Sequence, residues 1–117
     1  MKIKPYYSSD KKSVAVLVSC GFGAGWSTWA YDDALAYDQK IVELFLHRNE
    51  FSSLEEIREK IASFGYEEPF MGGFNQLEIQ WVPLNTYWRI KEYDGAETIE
   101  FLDMSKWNMF VGEGEDD

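Results

Sequence analysis

Few side chains in this sequence could carry out covalent chemistry. The chain has one cysteine, Cys20, and one histidine, His47. A cysteine nucleophile needs a base beside it, and nothing in the sequence brings these two residues together. Ser27 lies outside any Gly-x-Ser-x-Gly elbow, the turn that exposes a serine nucleophile in many hydrolases. We therefore predict a structural His47, no catalytic residues and a protein that is not an enzyme.

Metal ligands are equally sparse. One cysteine and one histidine cannot supply the ligands of a zinc site. Two acidic pairs, Asp32-Asp33 and Glu67-Glu68, could offer carboxylates to magnesium, but they lack the spacing of a calcium loop. As charges at helix starts and in loops they require no further role. We predict no metal and no cofactor, and keep a metal-dependent nuclease or hydrolase built on Asp32 and Asp33 as an alternative.

The glycine-rich turn over residues 20–29 is the strongest indication of a site, with the sequence Cys-Gly-Phe-Gly-Ala-Gly-Trp-Ser-Thr-Trp. Glycine allows positive φ and the close approach of another group, because it has no Cβ. The alternating glycines match neither the dinucleotide fingerprint nor a P-loop, so we do not expect a phosphate cradle. The predicted contact residues for a ligand or partner are Gly21, Phe22, Gly23, Gly25, Trp26, Trp29 and Tyr31.

Two interpretations of the aromatic residues near this turn stay open. In the first, they cap the open end of a small core together with Phe70 and Phe74, which flank Gly72-Gly73. In the second, the two glycine turns enclose a cleft with Trp26 and Trp29 as its walls, where a base, a nucleotide or a peptide stacks.

The elements that must position this turn begin with a strand and two helices. The β-branched and apolar run over residues 13–20 predicts a strand that is covered on both faces or lies at the centre of the sheet. Helical spacing predicts one helix from its N-cap Asp38 to about Arg48, and another from its N-cap Ser53 to Gly65. The short connection between them predicts a helical hairpin.

The C-terminal half predicts antiparallel strands. Alternation over residues 77–83 indicates a half-buried strand, which Pro83 ends. Asp94-Gly95 predicts a two-residue type I′ turn that joins strands over 86–93 and 96–102. The predicted fold class is α+β: a small, mostly antiparallel sheet of the N-terminal strand and a C-terminal meander or hairpin, with the helical hairpin packed on one face.

The type I′ turn also predicts which side chains face the core. Counting back from the turn pairs Trp88 with Phe101 and Ile90 with Ile99, and we expect these four residues in the core. The same face carries Glu92 opposite Glu97. Because two facing carboxylates repel each other, we expect this face to end or open to water at that pair.

Composition predicts one domain over residues 1–117, with 1–12 and 112–117 as loose ends, because 45% of residues are hydrophobic and 17% aromatic. The formal net charge of −10 repels phosphates, so we predict no direct nucleic-acid partner. No apolar run approaches the length of a membrane span, and the N-terminus lacks a signal-peptide pattern. With a single cysteine, these features predict a cytoplasmic protein that binds no membrane.

The combined pattern resembles small uncharacterised proteins encoded by tailed bacteriophages and prophages. The segments that carry this resemblance read GFGAGWSTW at 21–29, Asp38 with IVEL at 41–44, GG at 72–73, LEIQWVP at 77–83 and WRIKEYDG at 88–95. The resemblance implies a phage accessory role in the bacterial host cytoplasm, either interference with a host or defence protein or service in phage replication. It carries no catalytic residues with it.

The sequence therefore predicts a non-enzymatic phage-type accessory binding protein that acts by contact with a host or defence protein. Its negative charge either keeps it soluble or matches a basic partner, such as a nucleic-acid-binding protein. The resemblance favours the second explanation. The alternative function is a small-ligand module that binds a nucleotide-like molecule in the loop over residues 21–29.

Overall fold

The computed structural model describes residues 3–67, 69–101 and 108–110. The α-helices are α1 (Ser27–Ala30), α2 (Ala34–Tyr37), α3 (Gln39–Leu46) and α4 (Leu54–Ser63), with 3-10 turns at Arg48–Glu50 and Phe74–Gln76. The strands are β1 (Ser13–Ser19), β2 (Leu77–Pro83), β3 (Tyr87–Tyr93), β4 (Ala96–Phe101) and β5 (Asn108–Met109). The predicted α+β class with antiparallel pairing is confirmed.

The strands form two antiparallel sheets, one with the order β1-β2 and one with the order β4-β3-β5. The division falls between β2 and β3. Pro83 has no N–H for a ladder, and Asn85 adopts a positive φ of 63°, so the chain bends sharply there. The second sheet consequently packs against the first, where the sequence pattern had suggested one sheet.

Strand β1 lies between two hydrophobic clusters, as its continuous apolar run predicted. Ala15 and Leu17 face the cluster formed with α3, α4 and β2, whereas Val16 and Val18 face the cluster formed with α2 and β3. Alternate side chains of a strand point to opposite faces, so β1 is buried throughout its apolar length only because both faces are covered. β1 is thus covered on both faces, although its sheet has only two strands.

Both long helices begin at the predicted caps. The Asp38 side chain accepts a hydrogen bond from Lys40 N, and the Ser53 side chain accepts one from Glu56 N. The chain leaves α4 through Gly65, whose φ of 109° suits glycine. Buried apolar residues of both helices belong to one cluster with Ala15 and Leu17 of β1 and Leu77 of β2, which confirms that the helices cover one face of the strands.

The β3–β4 hairpin has the predicted register, with Tyr93 opposite Ala96 and Trp88 opposite Phe101. Asp94 and Gly95 both have positive φ, at 51° and 91°, as a type I′ turn requires. The prediction that Phe101 belongs to the core is wrong, because its side chain is exposed. Trp88 packs instead against the rings of Phe110 and Tyr37.

The N-terminal segment, predicted to be loose over residues 1–12, is hydrogen-bonded to the core where the structure describes it. Tyr6 O accepts from Ala15 N at 2.9 Å, and Lys4 O accepts from Gln39 N at 2.7 Å. The tail over 112–117 lies outside the described residues. Within the described part of the chain, no helix has the length and apolarity needed to span a bilayer.

Candidate contact site at the glycine-rich turn

The carboxylate of Glu97 holds the glycine-rich turn in place. Its side chain is 1% exposed. Oε1 accepts a hydrogen bond from Ser19 N at 2.8 Å, and Oε2 accepts from Trp26 N at 2.8 Å. Oε2 also accepts from Thr28 N at 3.2 Å and from Thr28 Oγ1 at 2.6 Å. A buried carboxylate requires such donors, because it has lost its hydrating water. One side chain of β4 therefore fixes both ends of the turn.

This burial corrects the expectation that the sheet face opens to water at Glu92 and Glu97. The two residues are paired as predicted, yet only Glu92 is exposed. Glu92 has donors of its own: Trp29 Nε1 at 2.8 Å and Gly95 N at 2.7 Å. These two hydrogen bonds, with the indole the stronger influence, lower the pKa of Glu92. Sequence reasoning missed the role of Glu97 because its donors are mainly backbone amides, which leave no sequence signal.

The turn also docks on the tip of the β3–β4 hairpin. Gly23 N donates to Asp94 O at 2.7 Å. A Cβ on Gly95 would collide with the backbone of Ala24, and a Cβ on Gly73 would lie 2.8 Å from Ala24 O. Three chain segments thus approach one another through backbone that only glycine permits. The turn is therefore packed closely between the segment before β2 and the β3–β4 hairpin.

Trp26 is not a wall of a cleft, which corrects its predicted role. It is fully buried, its indole Nε1 donates to Leu35 O at 2.7 Å, and its ring meets that of Phe74 edge-on at 5.6 Å. Gly25 is buried beside it, against Glu97. Both residues are therefore buried. Trp26 can be buried completely because its indole N–H donates to an acceptor inside the protein.

Of the other predicted contact residues, Gly21 is half-buried against Gln76, whereas Gly23 and the three aromatic residues lie at the surface. Phe22, Trp29 and Tyr31 are 67%, 38% and 94% exposed. Phe22 packs edge-on against Tyr93, itself 75% exposed, and Trp29 stacks on Phe70, which is 39% exposed, with ring centroids 6.1 Å apart. We call Phe22, Trp29, Phe70 and Tyr93 the aromatic surface. Tyr93 was not among the predicted contact residues, although its place beside the hairpin turn was predicted.

Two depressions lie beside the aromatic surface. One, of about 520 Å³, runs between the two glycine turns and is lined by Phe22, Gly23 and Gly72, among others. Neither Trp26 nor Trp29 lines it, so the predicted stacking walls are missing from this groove. The other, also about 520 Å³, is bordered by Trp29 and Phe70.

The residues considered for catalysis lie apart in separate surroundings. His47 Nδ1 is 3.0 Å from Glu50 Oε2 at an exposed position. Cys20 follows β1, where burial and the neighbouring Glu78 raise the pKa of its thiol. Ser27 Oγ is buried, and it has no hydrogen-bond partner within the described part of the chain. Among these three residues, neither Cys20 nor Ser27 is hydrogen-bonded to His47 as a nucleophile would be to its base.

One residue of each acidic pair considered for magnesium, Asp32 and Glu67, lines the cavity beside Trp29. Asp32 Oδ1 accepts a hydrogen bond from Ala34 N at 3.1 Å, which explains its place before α2. Glu68, of the second pair, lies outside the described residues. Among residues 3–67, 69–101 and 108–110, no three His, Cys, Asp or Glu side chains come together as a metal site would require.

No family model, curated protein or solved structure matches the chain. Its function therefore has to be argued from the geometry of the site. The site combines a glycine turn hydrogen-bonded to Glu97 with a set of exposed aromatic rings, and the chain as a whole has a formal net charge of −10.

Proposed function

We propose that this protein is a non-enzymatic binding protein that contacts a partner protein through the aromatic surface. The observation that supports this function is that four exposed rings from three chain segments lie on or beside the glycine-rich turn that Glu97 anchors. Aromatic side chains provide large contact area, and a pre-ordered surface loses little entropy on binding. Tryptophan and tyrosine, represented here by Trp29 and Tyr93, are also enriched among the residues that dominate binding energy.

Charge indicates the chemistry of the partner. Glu92 and Asp94 lie at the hairpin tip beside the aromatic surface, and Asp32 and Glu67 lie near Trp29. The chain as a whole has a formal charge of −10. Complementary charge accelerates association and disfavours partners of like charge. A basic protein surface fits this description, whereas nucleic acid does not.

The resemblance to phage and prophage proteins supports a bacterial host or defence protein as the partner. A nucleic-acid enzyme has a basic surface of the required chemistry. In this proposal the protein occupies that surface in the host cytoplasm and acts by competition for it.

The groove between the glycine turns supports a second candidate function. Its volume of about 520 Å³ falls within the range of small-ligand sites, and Phe22 on its border could stack on a base. The two functions make different predictions. Ligand binding would depend on the groove and tolerate salt, whereas partner binding would weaken as salt screens the opposite charges.

Native mass spectrometry of the tagged protein, isolated gently from a bacterial lysate, tests the proposed function. We expect a stoichiometric protein adduct that is lost at high salt. The double variant Phe22→Ser/Tyr93→Ser should lose the adduct. The control Leu46→Ser/Trp81→Ser, which also removes two exposed hydrophobic side chains, should keep it.

Two results would contradict the proposal. The first is an adduct that both double variants retain, because binding would then not use the aromatic surface. The second is a small-mass adduct without protein, lost on Gly23→Val, which would favour the ligand groove. Circular dichroism of each variant confirms that the fold is intact before its adduct is compared.

A further inference from the structure

We propose that the cavity beside Trp29 and Phe70 receives an arginine side chain of the basic partner. This inference rests on the proposed function and names the group that the aromatic surface recognises. The cavity of about 520 Å³ is bordered by Trp29, Phe70 and Tyr66, and its lining also includes Asp32 and Glu67.

The two rings provide a stacking face. Trp29 and Phe70 lie with their planes 29° apart and their centroids 6.1 Å apart, and both side chains stay more than a third exposed. The indole is held in this orientation because its Nε1 donates to Glu92 Oε2 at 2.8 Å. A cation placed over such a ring is attracted by the negative face of the π-system, and tryptophan is the strongest partner.

The carboxylates make the cavity selective for a cation. None of the lining residues that the structure describes is a lysine or an arginine, so no basic side chain within that lining neutralises Asp32 or Glu67. Asp32 uses Oδ1 to accept from Ala34 N, which fixes its side chain beside the cavity. Both carboxylates are exposed and can accept further hydrogen bonds.

Tyr66 forms another wall of the cavity. Its hydroxyl donates to Asp38 Oδ2 at 2.6 Å. Burial, this hydrogen bond and the negative charges of Asp38 and Asp32 raise the pKa of Tyr66 well above its usual range. The tyrosine ring is neutral at physiological pH, as any tyrosine is, and it offers an uncharged surface next to Asp32 and Glu67.

Arginine fits these features better than lysine. The guanidinium group is planar, so it can stack on the Trp29 and Phe70 rings, and its fork of N–H donors matches a carboxylate. It is also more weakly hydrated than an ammonium group, which favours entry into a partly apolar cavity. The aromatic rings and the acidic edge are thus complementary to one side chain of a basic partner.

The test is a titration of the full chain, ¹⁵N-labelled, with the peptide acetyl-Gly-Arg-Gly-amide, followed by NMR. We expect saturable shifts of the Trp29 indole N–H, assigned by its absence in Trp29→Phe. The matched peptide with citrulline has nearly the same shape without the charge and should bind roughly three- to tenfold more weakly. The lysine peptide should also bind more weakly.

Matched variants separate the cavity from the general negative charge. Asp32→Asn and Glu67→Gln should each weaken arginine binding several-fold, and Asn at position 32 can still accept from Ala34 N. Asp33→Asn and Glu59→Gln remove the same charge from exposed positions outside the cavity lining and should leave binding unchanged. Equal losses in all four variants would overturn the inference, because attraction would then be non-specific.

The outcome also distinguishes this inference from the proposed function. Equal binding of the arginine and citrulline peptides, or preferred binding of the lysine peptide, would overturn the arginine site. If the lysate partner were still lost in Phe22→Ser/Tyr93→Ser, the proposed function would stand without it. Selective arginine binding by a protein whose lysate adduct is kept in both double variants would instead overturn the proposed function.

Discussion

Thr28 Oγ1 donates a hydrogen bond of 2.6 Å to Glu97 Oε2, joining residues that are 69 positions apart in the sequence. Thr28 belongs to the glycine turn and Glu97 to the hairpin that follows all the helices. Because Glu97 is buried, this contact and its backbone counterparts determine where the exposed aromatic residues of the turn lie. The stability of the turn and the shape of the aromatic surface should therefore change together.

Thr28→Val should destabilise the protein by about 1–2 kcal/mol, because it removes a hydroxyl donor to a charged acceptor while preserving the side-chain shape. Urea denaturation measures this free energy of unfolding. The control is Thr98→Val, an exposed threonine on the same strand as Glu97, for which we expect a change within about 0.5 kcal/mol. Equal effects of the two substitutions would show that the hydroxyl of Thr28 is not a significant contact.

Glu97→Gln should destabilise the protein more than Thr28→Val does, by about 2–4 kcal/mol. The neutral amide is a weaker hydrogen-bond acceptor than the carboxylate, and its NH₂ group would face other N–H groups. Urea denaturation again measures the change in the free energy of unfolding. Glu59→Gln, an exposed change of equal charge on α4, is the control. If Glu97→Gln unfolded no more easily than Glu59→Gln, the anchoring role assigned to this carboxylate would be wrong.

Gly95→Ala should destabilise the protein more than Gly65→Ala, by at least about 1 kcal/mol. Both glycines have positive φ, 91° and 109°, so both substitutions strain the backbone. Only at Gly95 would the new Cβ also meet the backbone of Ala24, whereas the space around Gly65 is open. Thermal or urea unfolding measures the loss of stability in each variant. A larger loss of stability for Gly65→Ala than for Gly95→Ala would contradict the packing of the turn on the hairpin.

The pKa of Glu92 should lie below that of an ordinary glutamate, and Trp29→Phe should raise it. The indole N–H is the first cause of the lowered value and Gly95 N the second. A carboxyl NMR titration measures it directly. Trp81→Phe, a change at another exposed tryptophan, should leave the titration unaltered. The hydrogen bond from Trp29 would be disproved by a Glu92 pKa that is the same in wild type and Trp29→Phe.

Stability should fall as pH rises above about 10, the pKa of tyrosine in the unfolded chain. The pKa of Tyr66 is raised in the folded state, chiefly by burial and by its hydrogen bond to Asp38. Between the two pKa values the native state binds the proton and the unfolded state does not, so stability is full below pH 10 and decreases above it. Tyr37, whose pKa is also raised by burial, adds to this slope.

The pH dependence of stability is tested by urea unfolding between about pH 8 and 11. This range roughly brackets the pKa of tyrosine in the unfolded chain. Tyr66→Phe should have a shallower slope, with a difference below the one-proton limit of about 1.4 kcal/mol per pH unit, since Tyr66 is partly exposed. Tyr31→Phe, at a position that is 94% exposed, is the control. Identical slopes for wild type and Tyr66→Phe would contradict the assignment.

The sequence by itself determined the elements whose signals are local. Asp38 and Ser53 cap their helices because a short polar side chain satisfies amides within three residues, a pattern visible in one helical turn. Asp94-Gly95 set the hairpin register because two consecutive positive φ values suit few residue pairs. The buried β1 and the α+β class follow from apolar periodicity, which depends on neighbouring residues alone.

The tertiary structure alone decided which polar and aromatic residues are buried. Glu97 faces Glu92 across the hairpin, yet it is buried because backbone amides of a distant turn donate to it. Trp26 and Trp29 have the same side chain in one glycine-rich segment, but only Trp26 meets an acceptor, Leu35 O, inside the core. Burial of a polar group depends on whether donors or acceptors are supplied from elsewhere in the chain, and local sequence does not carry that information.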